Sequence, residues 1–182
     1  MKTMKVNWAL LMIASLVING CQKQLSDGSD RSVAAVGLNA NESGATQISG
    51  LGFFAETGEC TSPLGQGATF AIKMTGDLAG CLYVFIDEFD CSPSGTYREK
   101  GREHFVGTYN GETGTFWTGY KFEGKYEGCS EGAAVGAEIF GRCQHPIVEG
   151  SGDGVFEGVT GRLNFKDDIE AGNFPYTGHL SF

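Results

Sequence analysis

The stretch TFWTGYKFEGKY, Thr115 to Tyr126, alternates with a period of two. Phe116, Tyr120, Phe122 and Tyr126 share one face with Thr118 and Gly124, while Trp117, Lys121, Glu123 and Lys125 share the other. Successive side chains of extended backbone point to opposite sides, so this is a strand with one dry face and one wet face. Phe70, Ile72 and Met74 repeat the pattern against Thr69, Lys73 and Thr75, as do Leu163 with Phe165, and Phe174, Tyr176, Leu180 and Phe182. No window of helical length carries a helical period. The 29 glycines fall largely in turn signals such as TGDLAG, YNGETG and EGSGDG. Such a chain is antiparallel β throughout, closed as a barrel or a sandwich.

One strand departs from the alternation. CLYVFIDEF, Cys81 to Phe89, is apolar on both faces, with Leu82, Val84 and Ile86 on one and Tyr83, Phe85 and Phe89 on the other. The outer side of a strand in a small barrel meets water, so the second apolar face needs a cover. A neighbouring subunit or the chain's own N-terminal segment is expected to supply it. A subunit in that place would make a homotrimer or another closed oligomer. Glu88 continues the face of Leu82, Val84 and Ile86 and is expected to be partly buried, where a carboxylate acquires a raised pKa and can act as acid or base.

Ahead of the strands, Lys2 and Lys5 precede an apolar run, Trp8 to Ile18, that falls short of the about 20 residues needed to span a bilayer. The run ends at Ile18-Asn19-Gly20-Cys21, which resembles the lipobox of bacterial lipoproteins. That resemblance implies a signal peptide over residues 1–20. It also implies lipidation of Cys21 as the first mature residue, and a lipid-anchored, extracytoplasmic place in the cell envelope, periplasmic or at the cell surface. Gln22 to Ser49 is rich in Ser, Gly, Asn, Asp and Ala, too poor in large apolar residues to offset the entropy of ordering. Residues 21–49 are therefore read as a flexible tether and residues 50–182 as one β-barrel domain. Removing residues 1–20 takes away two lysines and no acid, so the net charge goes from -9 to -11. That balance excludes nucleic acid as a partner, for want of a basic patch.

Beyond Cys21 there are five cysteines, Cys60, Cys81, Cys91, Cys129 and Cys143. An odd number leaves one thiol over, in a compartment where disulfides persist. No C-x-x-C pair occurs, which argues against a structural zinc site and a thioredoxin-like redox site. A turn near Asp77 and Leu78 would bring Cys60 close to Cys91 at the open end of a hairpin. Cys129 and Cys143 flank a turn at Gly132 to Gly136. The expected disulfides are thus Cys60 with Cys91 and Cys129 with Cys143, leaving Cys81 reduced and buried. Cys81 and Cys91 are not expected to pair, because ten residues of strand span about 33 Å while bridged Cα atoms lie about 5.5 Å apart.

HPIVEGSGDGVFEGVTGRLNFKDD, His145 to Asp168, resembles the barrel shared by allene oxide cyclases and dirigent proteins, whose pattern is a strand, a G-T-G-x-F turn, then x-G-A-T-G and another strand. Gly150 to Phe156 fills the first part, with one extra residue before Phe156. Glu157 to Gly161 fills the second, with Val159 in place of alanine. The glycines permit positive φ in a tight connection, and Phe156 is placed to pack into the end of the barrel. The resemblance implies about eight strands, an apolar lumen and commonly a trimer; another small closed barrel, avidin-like or lipocalin-like, is the alternative. It carries no catalytic residue across.

The remaining chemistry is sparse. His104, His145 and His179 lack metal-ligand spacing, and His145, before Pro146 at a strand end, reads as structural. Asp87, Glu88 and Asp90, like Asp167, Asp168 and Glu170, read as solvated turn carboxylates without the spacing of a calcium loop. No nucleophile elbow, P-loop or dinucleotide fingerprint is present. No cofactor, metal or catalytic residue is therefore expected. Tyr83, Phe85, Glu88, Tyr120, Phe122 and Tyr176 are the candidate lumen residues for a small apolar ligand, although in a barrel a filled core and a pocket look alike in sequence. The expected function is non-enzymatic, binding such a ligand or acting as a structural surface protein. The alternative is a cyclase or isomerase that uses Glu88 or a lumen tyrosine as acid or base.

Overall fold

Two hairpin turns show how local sequence sets this fold. At Asn110-Gly111 (φ 52° and 84°) and Glu131-Gly132 (φ 52° and 79°) both central residues are left-handed, and the flanking pairs Tyr109 with Glu112 and Ser130 with Ala133 face each other directly. These are two-residue turns whose twist matches that of the strands they join. The structure, a computed structural model, describes residues 44–182. Residues 1–20, Cys21 and most of the tether lie outside the described residues.

The strands are β1 (Thr46–Phe54), β2 (Phe70–Gly76), β3 (Leu78–Cys91), β4 (Thr96–Tyr109), β5 (Glu112–Ser130), β6 (Ala133–Pro146), β7 (Asp153–Gly154), β8 (Thr160–Lys166) and β9 (Phe174–Ser181). They pair antiparallel in the order β4-β3-β2-β1-β9-β8-β6-β5, and β5 returns to β4. The result is a closed eight-stranded barrel, with β7 as a short extra strand on β5. The only helix among the described residues is one 3-10 turn, Pro63–Gly65. β1 starts at Thr46, where Ile48 turns inward between exposed Gln47 and Ser49. The barrel thus begins four residues earlier than expected, because a single apolar residue among polar ones suffices for a half-buried strand.

Strand length divides the barrel in two. β3, β4, β5 and β6 have 14, 14, 19 and 14 residues, against 9, 7, 7 and 8 for β1, β2, β8 and β9. The long strands therefore stand as a wall above one end. The other end is packed shut. Phe105, Phe116 and Phe156 meet with ring centroids 4.9 to 5.7 Å apart, among fully buried Leu78, Leu163 and Leu180. Phe156 enters from the loop after β7, in the place expected of it. Gly152 makes this possible, because a Cβ there would collide with the Phe156 carbonyl oxygen.

The described residues themselves supply a cover for part of the outer face of β3. It is the chain between β1 and β2, which folds back over the outside of β3 and β4. Ser62 N–H donates to Tyr83 Oη at 3.0 Å, Gly65 lies against the Tyr83 ring, and the Leu64 carbonyl oxygen lies 3.2 Å from His104 Nδ1. Trp117 on β5 continues the cover, stacked on His104 at 4.3 Å and beside Phe85 at 5.6 Å.

The same loop corrects the disulfides, which join Cys60 to Cys81 and Cys91 to Cys129, while Cys143 is free and buried. Cys60 does not run on to the open end of the β2–β3 hairpin; it turns back over the barrel and meets the outward Cys81. The β5–β6 turn falls at Glu131-Gly132, which sets Cys129 opposite Ala134 and Cys143 opposite Phe122. Cys129 is then far from Cys143 and meets Cys91, where the turn after β3 lies against β5 and the Gly95 carbonyl accepts from Tyr126 N–H at 2.8 Å. Cys81 and Cys91, as expected, do not pair.

Candidate functional site

The lumen is not filled. Above the phenylalanine plug a cavity of about 610 Å³ runs up the long-strand wall to the mouth. Phe54, Phe70 and Phe174 form its apolar side, Phe54 lying 5.6 and 4.8 Å from the other two rings.

The inward positions of β4 are Tyr97, Glu99, Gly101, Glu103 and Phe105, and the outward ones are Arg98, Lys100, Arg102 and His104, so strand parity puts the acids inside and the bases outside. The outward arginines and lysine each meet an outer acid, Arg98 with Glu123, Lys100 with Glu88 and Arg102 with Asp87. Glu103, only 2% exposed, sits at the bottom of the cavity. Its Oε2 accepts from Thr118 Oγ1 at 2.6 Å and lies 2.5 Å from His145 Nδ1. A buried carboxylate needs such partners to offset its lost hydration. An ionised carboxylate only accepts, so with Glu103 ionised it is His145 Nδ1–H that donates; Nε2 has no partner. One rung higher, Glu99 accepts from Tyr97 at 2.6 Å and Tyr120 at 2.5 Å. Burial, followed by the bond to Glu99, pushes both phenols above their ordinary pKa. They stay protonated donors, which removes them as bases.

Near the mouth, Glu138 and Asp167 face each other over Gly141, where a Cβ would strike both carboxyl groups. Burial, then the bond to Glu138, raises Asp167 to about 7. The proton it keeps supplies the donor that Glu138 Oε1 otherwise lacks. The folded protein holds this proton when the unfolded chain has released it, so stability should fall as pH rises from the ordinary 3.8 of aspartate to about 7. Asp167→Asn should flatten that part of the profile of urea midpoint against pH; an unchanged slope would refute the pairing. Cys143 also lines the cavity. Burial pushes its thiol far up, which leaves little reactive thiolate.

Of the expected lumen residues, Tyr120 and Phe122 line the cavity. Tyr83 and Phe85 point outward, under the β1–β2 loop and Trp117. Tyr176 is inward but belongs to the packing below, where its hydroxyl accepts from Leu78 N–H at 3.0 Å. Glu88 is exposed and paired with Lys100. The cause is a β-bulge, which sets Ile86 opposite Gly101 but Glu88 opposite Lys100. The extra residue, Asp87, reverses parity, sending Glu88 to solvent and Phe89 to the mouth. Glu99, Glu103 and Glu138 were missed, as was the place of His145 and Asp167 in the lumen; the acid-base alternation of REKGREH was the signal in β4.

Among the described residues no cluster of three or more His, Cys, Asp or Glu could hold a metal, and no helix is long and apolar enough to cross a membrane. The two disulfides are compatible with an oxidising, extracytoplasmic location. No protein-family model matches the chain, and no curated protein is significantly similar to it.

Proposed function

We propose that this is a lipid-anchored, extracytoplasmic barrel that holds a small molecule with an apolar body in its lumen and releases it unchanged. The observation that carries the reading is the unfilled, ring-lined cavity of about 610 Å³, within the usual range of about 300–1,000 Å³ for small-molecule sites. Kinship with the allene oxide cyclase and dirigent barrels belongs to the same reading, supported by the glycine-rich loop that delivers Phe156 to the closed end.

Two measurements test it. Labelled palmitate should enter the wild type and not Cys21→Ser; equal labelling of both refutes the anchor. Native mass spectrometry of protein from its own host should show one small molecule per chain, whereas bare protein throughout contradicts the ligand.

The Glu103–His145 pair favours a second reading, an isomerase or cyclase in which His145, held by Glu103, moves a proton on the ligand. It takes the part expected of Glu88, which the bulge sends to solvent; Tyr97 and Tyr120, held protonated, keep the part of acid. A ligand recovered chemically altered after incubation with wild type, but intact with His145→Gln, would establish it.

A further inference from the structure

Four carboxyl groups, those of Glu99, Glu103, Glu138 and Asp167, line the cavity, and no lysine or arginine among the described residues does. The β4 alternation makes this segregation a property of the sequence, since every base in REKGREH is spent on the outer face. Inside, Tyr97 and Tyr120 give Glu99 hydrogen bonds but no charge, and His145 is the only basic group facing Glu103. Buried carboxylates without cations are costly, and the cost falls when a partner of opposite charge arrives. An anion would face these carboxyl groups with His145 as the one basic side chain on the cavity wall, which turns the lumen against fatty acids and other carboxylates. A second, independent observation also points to a donor: His145, 4% exposed and on the cavity wall, has no partner for Nε2. The phenol and phenyl faces of Tyr120 and Phe122 beside these acids suit a cation as well.

We propose that the lumen ligand is an organic amine, bound as its ammonium ion among these carboxylates, with its apolar body against Phe54, Phe70 and Phe174. This rests on the lumen-binding reading above and names its ligand class. Ammonium N–H groups donate to Glu99 and Glu103, and the hydrocarbon occupies the apolar side of the cavity.

The test is calorimetric titration of decylamine, decanol and decanoate into the full chain carrying Cys21→Ser, which removes the acylation site and leaves every barrel residue in place. Decylamine should saturate at one per chain and bind about tenfold or more tighter than decanol, a difference of about 1.4 kcal/mol or more, with decanoate weakest. Glu99→Gln should lower the ratio of decylamine affinity to decanol affinity. Thermal melts would establish that this variant is folded, and Glu138→Gln provides a second variant away from Glu99. Decanoate binding as tightly as decylamine, or all three binding alike, overturns the inference but leaves lumen binding standing. Saturable binding by none of the three overturns lumen binding itself, and the inference with it.

Discussion

Phe156→Ala should destabilise the barrel by about 3–5 kcal/mol. Phe156 is fully buried and its ring meets Phe105, Phe116 and Tyr109. Its removal leaves a void between strands fixed on all sides by their ladders, so collapse cannot fill it. The plug also ties the β6–β8 connection to β4 and β5, and alanine would loosen that loop. Urea denaturation should show the loss as a lower midpoint. Phe140→Ala, on an exposed ring, should shift stability by less than about 0.5 kcal/mol and serves as control. Equal effects of the two would show that Phe156 is not the plug.

Replacing Cys91 and Cys129 together by serine should cost up to about 4 kcal/mol, since the bridge closes a loop spanning 38 residues and restrains the unfolded chain accordingly. The Cys60–Cys81 bridge, spanning 21 residues, should contribute about 3 kcal/mol. The first loss also acts on the site. Cys91–Cys129 ties the end of β3 to the extension of β5, the wall that carries Phe89, Tyr97 and Tyr126 over the cavity, so the double variant should open the mouth as well as weaken the fold. Peptide mapping under non-reducing conditions checks the pairing directly, and a Cys60–Cys91 or Cys129–Cys143 bridge would contradict it.

The strands were legible because one face of each had to be apolar, and period two in TFWTGYKFEGKY leaves no other regular structure. Phe156 was legible because glycines around a lone ring mean a close approach. Sites went wrong where a single residue changed parity. The extra residue at Asp87 moved Glu88 out and Phe89 in, and no local rule places such a bulge. The partner of Cys60 depended on which way the β1–β2 loop turned, over Tyr83 and His104, and that of Cys129 on where the β5–β6 turn fell. Glu103 and His145 lie 42 residues apart, and only barrel closure brings them together. The charge alternation in β4 was visible without any structure, but its meaning depended on knowing which face was the lumen.

Nile red titrated into the Cys21→Ser chain, with and without Cys143→Phe, tests the central claim most directly: the lumen is an accessible pocket. Cys143 lines the cavity opposite Phe122 and Phe165, so a phenyl group there extends into open space instead of into packed core. Fluorescence should saturate at one dye per chain, and Cys143→Phe, folded by its near-ultraviolet dichroism, should weaken binding about tenfold or more. Unchanged affinity in the blocked lumen, or no saturable binding in the parent chain, would contradict the account.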